Sequence, residues 1–502
     1  MNKASGPLKL DDIRNLAQEL KSRTIFETYL HGSGQKSELA LAPIFANYAS
    51  LYSPAVIASI RQKLAQANDS EEKRKLAYLL ADCLESLLDN EVALLRDALA
   101  TQEANKIIQF FDEKLFFHEA ALRIAGEPSR QLREAISQAT RQAVVEFDHL
   151  YRRKLETTRQ FIREKLNFVS YAAFYESLRG FSFQALAKFA MQFLEQTAVL
   201  YQQTMAEWTK SELGLALAEC ERHDIAYLMR TPEIAEAFPE DHLIVTLEST
   251  LTNLGLDLRH VTCDLEKRPK KSPRAFCAPV RIPAEVYLVV SPDGGANGYS
   301  ALFHEAGHAL HFSHCAPDLS YEFRYLGDYS VTEAFAFTFE HLLLEEGWLS
   351  NHTGLTTKQI SDYRQHAYRQ LLFMVRRYAA KLCYELQLHD EREIAGKEKL
   401  YVESLQKALM IRHYPEYWLY DTDGGFYSAY YLRAWILAAQ LRAFLRRNFG
   451  EHYFHNLAAG RALRDLWQMG QRFSAQEIAR QIGFDDMDSQ LLADEIANVL
   501  QP

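Results

Sequence analysis

No Cys-x-x-Cys pair occurs in this chain. Its six cysteines (Cys83, Cys220, Cys263, Cys277, Cys315 and Cys383) are scattered, which argues against a zinc ribbon or a disulfide framework and for free thiols. No apolar run is long enough to span a bilayer, and residues 1–30 hold no signal-type apolar core. Positive charge is scarce as well. Lys and Arg number 56 against 66 Asp and Glu, a net charge of −10, and no basic stripe is present to grip nucleic acid. The densest basic stretch, residues 267–274, carries two prolines and is expected to be an exposed loop. These absences predict a cytoplasmic protein with neither nucleic-acid nor membrane partners.

Glycine and proline are sparse, 21 and 14 in 502 residues, so helices can run long. Up to about residue 247 the chain is rich in Ala, Leu, Glu, Gln, Lys and Arg, with apolar residues recurring at three and four. Segments 92–116, 131–155 and 183–213 read as long amphipathic helices. The character changes after Gly255. Segments 256–265 and 284–290 mix β-branched and apolar residues between Pro and Gly, and Glu285-Val-Tyr-Leu-Val-Val is the clearest strand. Helix returns over 358–388 and 426–449, and 474–500 reads as two short helices split by Gly483. The expected architecture is mainly α, with a helical lobe over 1–250 and a second lobe over 251–502 that carries a small sheet beside its helices.

Residues 298–311 read Gly-Tyr-Ser-Ala-Leu-Phe-His-Glu-Ala-Gly-His-Ala-Leu-His. This contains H-E-x-x-H: His304 and His308, four apart on a helix, can present imidazole nitrogens to one ion, with Glu305 beside them as a proton acceptor. A glycine turn (Gly294, Gly295, Gly298) leads into it and the apolar periodicity runs through it. A catalytic zinc usually takes three protein ligands and keeps a fourth position for water. Glu333, on a second apolar-periodic stretch, is the best third candidate. His311 and His314 extend the first helix and are expected to be structural, and Cys315 a small buried hydrophobe.

The 264–340 region resembles zinc oligopeptidases of the thimet oligopeptidase/oligoendopeptidase F family. The resemblance rests on the 298–311 segment, on Glu333 at 25 residues beyond His308, and on Arg274-Ala-Phe-Cys277 upstream. It implies a two-lobed, prolate helical protein with a deep central channel and one Zn2+ per chain on its floor, taking short peptides. It implies that Glu285, Val286, Tyr287 and Leu288 belong to an edge strand that pairs with substrate backbone, and that Glu340 orients a ligand imidazole. The segment Asp421-Thr-Asp-Gly-Gly-Phe-Tyr-Ser-Ala-Tyr-Tyr-Leu-Arg433 is similar to the family's tyrosine-rich wall. There Gly424 and Gly425 would form a mobile loop, and Tyr427, Tyr430 or Tyr431 would donate to the oxyanion. Two departures from the family pattern stand out: His413 would have to supply an active-site His through a gap, and Arg433 stands where a last tyrosine is expected.

The reaction expected is peptide-bond hydrolysis by a zinc-bound water whose proton Glu305 accepts and passes to the leaving amine. A helical zinc carboxypeptidase is the alternative within peptidases, with Arg433 or Arg281 holding the substrate carboxylate. A zinc- and peptide-binding protein without turnover is the alternative of another class.

Overall fold

The computed structural model describes residues 8–291, 294–390 and 393–501. Among the described residues there are 21 α-helices and little sheet, and the structure is 71% helical. Local signals account for the long helices. The helix Ser70–Asn105 starts where the Asp69 side chain accepts from the Glu72 N–H, and the helix Arg130–Glu164 where Ser129 accepts from Leu132. The segment expected as helix over 92–116 stops at Asn105. Its remainder forms a hairpin, β1 (Ile107–Phe110) and β2 (Glu113–Phe116), because Ile108 and Phe110 alternate inward with outward Ile107 and Gln109, a period of two that no helix can satisfy. The 183–213 stretch is two helices, Phe183–Gln196 and Ala198–Leu213, interrupted at Thr197, whose hydroxyl donates to the Phe193 carbonyl.

Two large apolar cores form, beside a small cluster of Tyr29, Ala278 and Val289, and each large core draws on residues from both sides of residue 250. One gathers Ile13, Leu79, Leu247, Leu288, Leu302, Phe335, Leu437 and Trp467; the other gathers Leu88, Phe147, Phe174, Tyr201, Leu382, Leu405, Phe426 and Ile496. The helix Ser70–Asn105 feeds both, through Leu79 and Leu88. So does the tyrosine helix (Tyr427–Phe449), which gives Leu437 to the first and Leu432 to the second.

A three-stranded sheet lies in the first core, ordered β3 (Val261–Asp264), β5 (Glu285–Val289), β4 (Phe276–Arg281), with β5 parallel to β3 and antiparallel to β4. Glu285, Val286, Tyr287 and Leu288 therefore sit in the central strand, correcting the expectation of an edge. Burial on both faces explains why this run looked so strand-like: Val286, Leu288 and Val289 are inaccessible, and Tyr29 of the first helix (Leu10–Gly32) stacks on Tyr287 at 4.1 Å. The edge beside it is β4, and Pro279 there, next to a register irregularity, suits an edge because it has no N–H to give a second neighbour. The basic 267–274 stretch is also less free than expected. Lys271 is buried, its ammonium donating to the carbonyls of Asp264, Glu266 and Val290 at 2.8–3.0 Å.

Candidate active site

The motif helix (Gly295–Ser313) follows β5, and the ligand helix (Tyr329–Glu340) packs closely against it. One residue permits that approach. A Cβ on Gly307 would lie 2.5 Å from Ala336 Cα, so the glycine inside His304-Glu-Ala-Gly-His308 lets the two backbones close up. Glu333, one turn before Ala336, is thereby brought under both histidines.

The geometry converges on a point. Glu333 Oε2 lies 3.5 Å from His304 Nε2 and 3.4 Å from His308 Nε2, and the three groups' ligand atoms all fall within 4.8 Å of one another. Such separations are long for hydrogen bonds. They match the edges of a tetrahedral site with bonds of ~2.0 Å, where ligand atoms stand about 3.3 Å apart. The far nitrogens are held: His304 Nδ1–H donates to Glu340 Oε2 at 2.8 Å, and His308 Nδ1 lies 2.8 Å from Thr332 Oγ1. Ser300 donates to the other Glu340 oxygen at 2.8 Å. Glu333 Oε1 accepts from the Tyr427 phenol at 2.7 Å, whereas its buried Oε2 has no hydrogen-bond partner among the described residues.

The charges agree with that arrangement. Burial opposes ionisation of His304, but the carboxylates of Glu333 and Glu340 outweigh it and hold its pKa well above the ordinary imidazole value. Burial likewise opposes a charged Glu333, and the two imidazoles overcome it, holding the carboxyl far below its usual range. A buried carboxylate oxygen with no donor, facing two Nε2 atoms whose Nδ1 sides are engaged, fits a divalent cation with nitrogen and oxygen preference such as zinc.

Glu305 is half-buried on the next position of the motif helix. Its carboxylate faces β4 and the tyrosine helix: after burial, it is the further cause raising the Cys277 thiol, and it contributes to raising the Tyr431 phenol. Tyr431 is half-exposed, 5.2 Å from the Tyr427 ring, with Glu333 the main influence on its phenol after burial. Tyr431, four residues after Tyr427, packs on its ring from one flank, and from the other flank, at 5.4 Å, comes Tyr430. Its ring lies under the Arg179 guanidinium and beside Phe181 and Tyr329, 1% exposed, which corrects the grouping of all three phenols as oxyanion donors.

Three further expectations change. Arg433 is buried, its Nε donating to Ser330 and its Nη2 to Asp328 and Gln476, so its guanidinium is turned to the protein's own groups rather than standing free for substrate. His413 donates to the Ile411 carbonyl inside a cluster containing Arg222, Tyr401 and Asp421, where burial first and Arg222 second push its pKa down to about 4. Gly425 (φ 66°) donates its N–H to the Tyr171 phenol, and a Cβ there would stand 2.8 Å from Tyr175. That half of the glycine pair is packed, while Gly424 is exposed. His311, neutral with its pKa pushed down to about 3 by burial, donates to the Gly470 carbonyl, and His314 donates to Leu310.

Sequence reasoning missed Thr332, Ser300 and Glu385. Ser300 had a signal, standing one turn before His304 on the same face. Glu385 had none: it lies in the helix Thr357–Asp390, yet accepts from the Asp423 N–H at 2.7 Å and the Ser428 hydroxyl at 2.6 Å, clamping the glycine loop to the tyrosine helix.

No protein-family model and no curated protein matches the chain. Solved structures do. A PZ peptidase A bound to an inhibitor matches with a TM-score of 0.71 at 14% identity, over 99% of this chain and 98% of that one. A protein provisionally assigned as oligoendopeptidase F from Bacillus anthracis str. Ames matches with 0.68 at 15% identity, over 97% and 90%. Trypanosoma cruzi metallocarboxypeptidase 1 matches with 0.62 at 14% identity, over 98% and 99%. The fold is thus that of the helical oligopeptidases, end to end.

Proposed function

We propose that this protein is a zinc-dependent peptidase that cuts short oligopeptides, with His304, His308 and Glu333 holding the metal. The observation that carries the reading is the buried, partnerless Glu333 oxygen between two oriented imidazoles, on a fold shared with peptidases. When bound, zinc supplies Lewis acidity, lowering the pKa of water toward neutrality and polarising a carbonyl. Glu340 and Thr332 keep each imidazole turned so that Nε2 points inward. Glu305 accepts a proton from the attacking water and delivers it to the departing amine. Tyr431, with Tyr427 beside it, offers a phenol O–H to the oxygen on which negative charge develops. The backbone of edge strand β4 pairs with an extended peptide, which aligns the scissile bond over Glu305.

Of the two arginines offered to hold a carboxypeptidase substrate's carboxylate, Arg433 is buried against Asp328 and Arg281 pairs with Glu285 at the surface, which favours the endopeptidase reading. An internally quenched peptide blocked at both ends tests the reading. Cleavage is expected, is abolished by chelator and restored by zinc, and falls at least about 10³-fold in Glu305→Gln with zinc still bound. Undiminished turnover by Glu305→Gln would remove the proton-transfer role, and failure to cut any blocked peptide would remove the endopeptidase.

A further inference from the structure

A cavity of about 200 Å³ opens along the motif helix on the side of His304 away from Glu333. Ala296, Asn297 and Ser300 line it from the motif helix, Phe337 and Glu340 from the ligand helix. Ala367, Leu371 and Met374 come from the helix Thr357–Asp390, and Trp435 and Arg442 from the tyrosine helix. It therefore lies where the two apolar cores meet. It also touches the metal-site residues directly: Glu340 holds His304, and Phe337 packs edge-on to the His304 ring at 5.0 Å. At 1.5 Å rise per residue, Ser300 stands about 6 Å along the helix from His304. That is the reach of a side chain one or two residues from a bond held over the metal.

The chemistry of the walls narrows the guest. Each charged or amide group on them is engaged within the protein. Glu340 accepts from Ser300 and His304; His341 and Arg442 both meet Glu495; Gln370 and Asn297 donate to the Met229 carbonyl. What remains to a guest is chiefly the aromatic and aliphatic surface of Phe337, Tyr363, Leu371, Met374 and Trp435. The volume suits one large side chain, displacing about six or seven waters, and is too small for a length of peptide backbone. A charged side chain entering it would lose water and meet walls whose charged groups are already paired.

We infer that this cavity is the specificity pocket of the enzyme, taking one bulky apolar side chain, aromatic or branched aliphatic, from a residue next to or one removed from the scissile bond. The inference rests on the peptidase reading for its cleavage arm, and its binding arm stands apart. The probes are blocked hexapeptides of alanine carrying Phe, Leu, Ala, Lys or Glu at each position in turn.

Zinc-loaded Glu305→Gln reports affinity without turnover, by calorimetry. Phe or Leu at one position is expected to bind about tenfold or more tighter than Ala, with Lys and Glu weakest. Adding Ala367→Trp, which fills the cavity from the opposite helix, is expected to erase that advantage while leaving the all-alanine peptide's affinity within about twofold. Leu371→Ala, which widens the cavity, is expected to shift preference from Leu toward Trp, and decides the matter should Ala367→Trp not fold. A Phe advantage that survives folded Ala367→Trp, a preference untouched by Leu371→Ala, or equal binding of Lys and Phe overturns the pocket. If the wild type cuts nothing yet the Phe preference appears and vanishes as described, the pocket stands and the peptidase reading falls. If peptides are cut without any side-chain preference, the pocket alone falls.

Discussion

Two walls face each other across the candidate metal site, and they are built on opposite plans. On the metal side, the motif and ligand helices touch backbone to backbone at Gly307 and Ala336, and the Nδ1 atoms of His304 and His308 are held by Glu340 and Thr332. On the tyrosine side, the chain enters its helix through two consecutive left-handed residues, Gly425 (φ 66°) and Phe426 (φ 57°). That turn is held by a buried polar clamp in which Glu385 meets Asp423 and Ser428 while Lys381 pairs with Asp423. The first wall gains its accuracy from close packing, which leaves no alternative arrangement of comparable density. The second depends on polar groups whose protonation changes with pH. Binding of the metal should be the robust property and the placing of the phenols the adjustable one.

Removing a ligand should break the metal wall outright. Glu333→Ala is expected to purify with little zinc and to lose activity by roughly 10³-fold or more, read by metal analysis beside peptide cleavage. Retention of stoichiometric zinc would show that the ligand set is different. A smaller effect separates the two phenols. Tyr431→Phe should lower kcat ~10²-fold with zinc affinity unchanged, the loss of one oxyanion donor. Tyr427→Phe should instead weaken zinc by about 10-fold or more, because its phenol steadies Glu333. Identical outcomes for the pair would erase the distinction drawn between them.

The smallest effect concerns stability. Burial first and Asp423 second push the Glu385 carboxyl up to about 8. A carboxyl whose pKa rises on folding contributes most below its unfolded value of about 4.3, and that contribution drains away as pH climbs to about 8. Wild type should therefore lose thermal stability across this window. Glu385→Gln, which stays neutral, should lose less and melt roughly 2 °C or more above wild type near pH 9, the two converging at pH 4. Parallel melting curves across the range would remove Glu385 as the titrating clamp.

Much of the metal wall was legible because its information is local. Helix periodicity alone places His304, Glu305 and His308 on adjoining positions, and a carboxylate in the next apolar helix is a natural third partner. The strand 285–289 was legible too, but not its rank in the sheet. A strand buried on both faces and a strand awaiting a peptide carry the same apolar run, and only the pairing partners distinguish them. The 92–116 segment failed for a related reason: after Asn105 its period changes from 3.6 to two within a few residues, beneath a helical composition.

The sequence by itself determined the chemistry available here: two histidines, a glutamate between them, a glutamate downstream and a tyrosine-rich helix start. Tertiary structure alone decided how those groups are used. It turned Tyr430 toward Arg179, engaged Arg433 with Asp328 and brought Tyr427 to Glu333. It also set Glu385, from a helix some forty residues earlier, against the glycine loop. The physical reason is that a polar group's role depends on which partner reaches it once water has gone, and that is a property of packed neighbours rather than of spacing along the chain.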